Sequence, residues 1–201
     1  EGYQTVDTHD EEVTFAAASG DQEQGGTEGL LFATNLDGEQ LWRVTLSSNK
    51  NDAFTGVDVL SNGDIVAIGY FEGGDAKLVA GNGTFDMNQA DDDDHSDVFF
   101  ARFSPNGDLL AIRIFGGVND DIGIDIKADG EYYYVLTEHE RTSSGASRIL
   151  LKMNNDNDLI WQSNLNITDN FNVDFSLSSV ACLAVQNEQV MVFGSYKESN
   201  F

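Results

Sequence analysis

Cysteine is almost missing. Cys182 is the single one, which excludes any disulfide within the chain. It lies in the apolar run Val180-Ala181-Cys182-Leu183 and reads as a small core residue. Proline is as rare: Pro105 stands alone, which excludes a proline-rich linker. Basic charge is the third scarcity. Ten Lys and Arg face 35 Asp and Glu, giving a formal net charge of −25 and a pI near 4.1. Such a surface repels phosphate backbones and anionic bilayers, which excludes nucleic acid as a partner. No apolar run approaches the roughly 18 residues of a bilayer span, so no membrane insertion is expected. The chain opens without Met, a basic n-region or an apolar h-region. A removed signal peptide, or a piece of something longer, is therefore expected.

Reactive signatures are also missing. There is no Gly-x-Ser-x-Gly, no His-Glu-x-x-His and no phosphate loop. The three histidines, His9, His95 and His139, are far apart, lack metal-ligand spacing and read as surface residues beside acids.

What is present is a repeat. Apolar residues make up 40% and aromatics 10%, enough to fold despite the charge. A first element reads apolar strand, Gly or Asn turn, second strand: Leu30–Ala33 with Asp37-Gly38-Glu39-Gln40-Leu41-Trp42, Val98–Phe103 with Asn106-Gly107-Asp108, and Ile149–Met153 with Asp156-Asn157-Asp158. With the turns aligned on Gly38, Gly107 and Asn157, the residues Trp42, Ala111 and Trp161 share one position. Asn is the other residue that tolerates φ > 0, so Asn157 fits. A second element alternates with the first: Gly56-Val57-Asp58-Val59 with Asn62-Gly63-Asp64 and Ile65–Gly69, and Gly123-Ile124-Asp125-Ile126 with Asp129-Gly130 and Tyr132–Val135. Val180–Leu183 with Val190–Gly194 repeats it without the Asp, and Val6-Asp7-Thr8 with Val13–Ala17 opens the series.

The turn-to-turn spacing is 69 and then 50 residues, with the excess between Tyr70 and Asp97. Four strands in about 50 residues is the size of a propeller blade. Strands such as Val98–Phe103 and Tyr132–Leu136 are apolar on both faces, as a sheet sandwiched between two others requires. The fold class expected is all-β: a β-propeller of four-stranded antiparallel blades, about three and a half repeats, part of a larger ring. The divisions are a half repeat over 1–27, a repeat over 28–96 with an insertion at 70–96, and repeats over 97–146 and 147–201. The insertion is expected to project from the ring, clear of its core. The missing strands should come from a longer polypeptide or from neighbouring chains.

The stretch Asp97-Val-Phe-Phe-Ala-Arg-Phe-Ser-Pro-Asn-Gly-Asp108, followed by Phe115-Gly-Gly-Val-Asn-Asp-Asp121, resembles the bacterial β-propeller repeats labelled SBBP. The likeness is fullest over 97–137. The outer repeats carry Leu46-Ser47-Ser48 and Leu165-Asn166-Ile167 where that family has Gly-Gly. The resemblance implies a secreted or cell-surface propeller within a large multidomain protein, and no reaction.

Candidate sites are few. Asp91, Asp92, Asp93 and Asp94 are consecutive. Their mutual repulsion would be relieved by a hard cation, so Ca²⁺ is the expected ligand, with Asp86 and Asp97 as further ligands. A solvated loop tip is the competing reading. Asn154–Asp158 also resembles a calcium loop, but a turn explains it. Asp52, Asp58, Asp120, Asp121, Asp125 and Asp169 recur at the second element, which points to carboxylates that accept backbone N–H groups rather than to a glycosidase pair. Trp42 and Trp161 read as packing between sheets rather than a sugar platform. Asn82-Gly-Thr and Asn166-Ile-Thr are glycosylation sequons.

The leading expectation is a non-enzymatic extracellular or cell-surface module for adhesion, scaffolding or assembly. Its partners would be protein chains or glycan. The alternative is a propeller enzyme, either one acting on polysaccharide or a quinone-dependent dehydrogenase. Leu36–Trp42 is similar to the turn-plus-Trp of quinoproteins, and the sialidase Ser-x-Asp-x-Gly-x-x-Trp box is absent.

Overall fold

The computed structural model describes residues 4–9, 12–19, 26–89, 95–142, 145–165, 167–168, 174–186 and 189–198. Among the described residues all regular structure is strand. The first sheet holds β1 (Gln4–His9), β2 (Glu12–Ser19), β3 (Glu28–Asn35) and β4 (Gln40–Ser47) in that order. The second holds β5 (Asp52–Val59), β6 (Ile65–Glu72), β9 (Ser96–Phe103) and β10 (Leu109–Phe115). The third holds β11 (Asp120–Asp129), β12 (Tyr132–Thr142), β13 (Gly145–Asn154) and β14 (Leu159–Asn164). The fourth holds β16 (Asp174–Gln186) and β17 (Gln189–Glu198), with β15 (Ile167–Thr168) on the outside of β16. All seven hairpins read from the repeat are present and antiparallel. Each four-stranded sheet joins a hairpin of the second element to the hairpin of the first element that follows it.

The three first-element turns are built alike. Gly38, Gly107 and Asn157 have φ of 82°, 81° and 62°, and each donates its N–H to the residue three back. That residue is Asn35, Ser104 or Asn154, whose side-chain oxygen accepts the N–H groups two and four residues on. The oxygen of Asn154 is therefore spent inside its turn, as the turn reading of Asn154–Asp158 requires. A register shift lies beside each turn, at Ala33/Thr34, Leu109/Ala111 and Lys152/Met153.

The core lies between the sheets, and alternation along single strands proves it. On β6, Ile65 and Ala67 face the first sheet while Val66 and Ile68 face the third. On β9, Phe99, Ala101 and Phe103 face the first sheet while Val98 and Phe100 face the third. On β12, Tyr133 and Val135 face the second sheet while Tyr134 and Leu136 face the fourth. Both faces are apolar because both are buried. The first strand of each sheet packs across the sheet before it: β5 against β1, β2 and β3, β11 against β5, β6 and β9, and β16 against β11. Close approach there needs glycine. A Cβ on Gly123 of β11 would meet Gly69 O at 2.8 Å. Within the second sheet, Phe54 and Phe99 meet edge to face at 5.3 Å on the face toward the first sheet, and Phe100 stacks on Phe115 at 5.3 Å on the face toward the third.

The insertion does not stand clear of the core. It forms a hairpin, β7 (Lys77–Ala80) with β8 (Gly83–Asp86), and β7 pairs with β4 to widen the first sheet. Ala76, Leu78 and Met87 are buried between the first and second sheets. The alternation in Lys77-Leu78-Val79-Ala80 is that of a strand with one buried face. Its tip is pinned to the second sheet, with Gly81 N–H on Gly107 O and the Asn82 side-chain amide bonded both ways to the Leu109 backbone.

Candidate functional site: aspartates between sheets and the acidic end

The aspartates of the second element bind backbone across sheets. Asp58 Oδ2 accepts the N–H of Ala128, one sheet on, at 2.8 Å. Its Oδ1 accepts the N–H of Val59. Asp125 repeats the arrangement: Oδ2 takes the N–H of Leu183 in the fourth sheet at 2.7 Å, and Oδ1 takes that of Ile126 at 2.8 Å. Each carboxylate thus ties two successive first strands together with charge-assisted bonds. This is the N–H-accepting role read from their recurrence.

At the strand starts Asp52 and Asp121 do the same within a sheet, and Asp120 does so between the third sheet and the second. Asp52 is fully buried, and its Oδ1 accepts the N–H of Glu72. Its Oδ2 has no donor. Burial pushes its carboxyl up to about 7, against the opposing pull of Ser48 and the Glu72 N–H. Asp121 is the counterpart in the third sheet. Its Oδ1 accepts the N–H of Glu140 at 3.1 Å and lies 2.8 Å from His139 Nδ1. Asp120 holds the start of β9, within 3.3 Å of both His95 Nδ1 and the Ser96 N–H. His95 and His139 are therefore partners of these two carboxylates.

Two features here escaped the sequence reading. Gly116 and Gly117 serve as seats for carboxylates, since a Cβ on Gly116 would collide with Asp97 and one on Gly117 with Glu140. Glu140 itself has φ of 53°, unusual for a residue with a side chain. Asn119 Nδ2 donates to its Oε2 at 2.6 Å. The visible signal was the Gly-Gly pair facing acids on neighbouring strands.

Asp91, Asp92, Asp93 and Asp94 lie outside the described residues, as do Asn166 and Asp169. Asp86 is exposed on β8 and forms an ion pair with Lys77. Asp97 is buried on β9, against Gly116. Among the described residues no three Asp, Glu, His or Cys side chains are grouped to hold a metal ion. The side chain of His9 is not described. Asn82 is exposed, with its amide nitrogen on Leu109 O at 3.0 Å. Cys182 is exposed, which corrects its reading as a core residue. It pairs with Phe193, which is also exposed, while the adjacent Leu183 takes the buried face toward the third sheet.

Trp42 does pack between sheets. Its Nε1 donates to Pro105 O at 2.8 Å, and its indole lies on Gly107, where a Cβ would sit 2.8 Å from the ring. Trp161 stands 37% exposed, tilted against Tyr134 at 6.1 Å.

No protein family matches the chain, and no curated protein is similar to it at a significant level.

Proposed function

We propose that these sheets are blades of a β-propeller of the SBBP-like kind, acting outside the cell or on its surface as a module for adhesion, scaffolding or assembly. Two observations support the architecture. The first strand of each sheet packs across the sheet before it, with glycine at a close approach, and the second and third sheets are apolar on both faces. Successive sheets stacked in this way are what a radial arrangement needs. The observation that carries the functional reading is where the repeated carboxylates go. Asp52, Asp58, Asp121 and Asp125 all bind backbone N–H groups. Asp52, Asp121 and Asp125 are also buried, out of a substrate's reach. Acid–base work on a polysaccharide would need such groups free and open to substrate.

Protein chains or glycan are the partners proposed, and Ca²⁺ at the 91–94 loop is the proposed ion, at the weak affinity of extracellular modules. The test exposes the protein to a polysaccharide panel and scores retention and product release together. Retention without release is expected. Reducing ends or unsaturated products that vanish in Asp52→Asn or Asp121→Asn would establish the enzyme instead. Antibody labelling of intact source cells tests the location.

A further inference from the structure

Asp121 is satisfied on one side only. Its side chain is 1% exposed. Oδ1 accepts the Glu140 N–H at 3.1 Å and lies 2.8 Å from His139 Nδ1. Oδ2 is buried and has no donor. A buried polar atom left in this state calls for a water or an ion. The space it faces lies beside Gly117. A Cβ there would collide with Glu140 Oε1 and stand 3.8 Å from Asp121 Oδ2, and these carboxylates are its nearest neighbours beyond Gly116 and Val118. Asn119 Nδ2 holds the other Glu140 oxygen, Oε2, at 2.6 Å. Two carboxylate oxygens therefore face one point that glycine keeps open. Glu140 is exposed and Gly117 half-buried, so solvent reaches that point.

The second sheet carries the same scaffold with the space closed. Asp52 Oδ1 accepts the Glu72 N–H, and Asn51 Nδ2 donates to Glu72 Oε2 at 3.1 Å. Four residues before Asp52 stands Ser48, and four before Asp121 stands Gly117. Ser48 is buried, and its hydroxyl pulls on the Asp52 carboxyl. The third sheet has no hydroxyl at that position. A bridging water would satisfy Asp121 Oδ2 but leave two like charges turned toward each other, whereas a cation removes both costs.

We propose that Asp121 Oδ2 and Glu140 Oε1 form a Ca²⁺ seat beside Gly117, separate from the 91–94 loop. Ca²⁺ takes six to eight oxygens in flexible geometry, and water completes the shell around the two carboxylates. Mg²⁺ suits the seat less, because it demands a near-ideal octahedron and sheds water reluctantly. The bound ion would join the start of β11 to the end of β12. The inference goes beyond the module reading and does not depend on it.

Amide NMR of the full chain during a calcium titration tests it, since each site has its own signals. Saturable shifts at Gly117, Asp121 and Glu140 are expected, with Kd of roughly 10⁻⁴ to 10⁻³ M. Gly117 has no positive φ, so its backbone accepts a side chain, and Gly117→Ser copies the second sheet. Gly117→Ser and Glu140→Gln should each weaken binding at least about tenfold, the first by filling the seat and the second by removing a ligand charge. Unchanged signals from β9 and β13 show that both variants fold. The variant with Asn at 91, 92, 93 and 94 should keep the shifts at Gly117 and Glu140. No shift at these residues up to about 10⁻² M calcium overturns the proposal. Equal affinity in Gly117→Ser and Glu140→Gln also overturns it. Loss of the shifts in the variant with four Asn assigns the ion to that loop and refutes the seat. Equal shifts with magnesium, or with sodium at matched ionic strength, show general screening of acids and refute it too.

Discussion

Replacing Asp125 by alanine removes the acceptor for two backbone N–H groups at once. The residue is 6% exposed, and it holds Ile126 in its own strand and Leu183 in the next sheet. A hydrogen bond to a charged group contributes about 1.5–3 kcal/mol, and an orphaned buried donor costs a comparable amount. The Ile126 bond is local and partly survives in the unfolded chain, whereas the Leu183 bond exists only when sheets stack. The expected loss is about 3–5 kcal/mol, a large share of the roughly 5–15 kcal/mol typical of a folded domain. Asp125→Asn keeps one acceptor but turns an NH₂ toward the other donor, so about 2–4 kcal/mol is expected. Lys127, whose Nζ is 3.5 Å from Asp125 and which is 32% exposed, is the control: Lys127→Met should change stability by less than about 1 kcal/mol. Urea denaturation gives the totals, and hydrogen exchange at Leu183 reports the bond itself. A loss below about 1 kcal/mol in Asp125→Ala, or unchanged exchange at Leu183, would refute the idea that these carboxylates tie sheet to sheet.

Asp52 should make stability fall as pH rises. Its folded carboxyl titrates near 7 against 3.8 for the free group, so the folded state binds the extra proton. That contribution is fully present below about pH 4 and is lost by pH 7; Asp52→Asn should therefore gain on the wild type between those values, by up to about 4 kcal/mol in denaturation at pH 8. Gly38 and Gly107 share the same φ, but a Cβ at Gly38 meets nothing within 4 Å. Gly38→Ala should cost about 1 kcal/mol and Gly107→Ala at least about 2 more, the excess measuring the Trp42 contact. Calorimetry with calcium should show heat for the wild type at roughly 10⁻⁴ to 10⁻³ M, and less once Asp91, Asp92, Asp93 and Asp94 are all Asn.

The hairpins were legible because each carries its own local chemistry. Gly or Asn at the turn, an Asn or Ser three residues earlier and apolar runs on either side specify the pair with no outside help. Stacking was legible from Val98–Phe103 and Tyr132–Leu136, whose two apolar faces need two neighbours. The grouping into sheets was not, because a first-element hairpin can pair on either side and only tertiary packing chooses. The insertion misled because its length drew attention to its acids, while Ala76, Leu78 and Met87 are spread too thinly to announce a buried face. Asp58 and Asp125 were visible as recurring acids, but their partners Ala128 and Leu183 are apolar residues offering only a backbone N–H. No side-chain pattern marks such a donor. Cys182 misled in the other direction, since an apolar run in a strand has two faces and its neighbour Leu183 took the buried one.

The radial arrangement is the claim on which the rest stands, and a crystal structure of the chain tests it most directly. The account predicts that β1, β5, β11 and β16 converge on one axis while β4, β10 and β14 fan outward, with the Asp58–Ala128 and Asp125–Leu183 bonds bridging the inner strands. Four sheets stacked at equal spacing from edge to edge, without those two bonds, would contradict it.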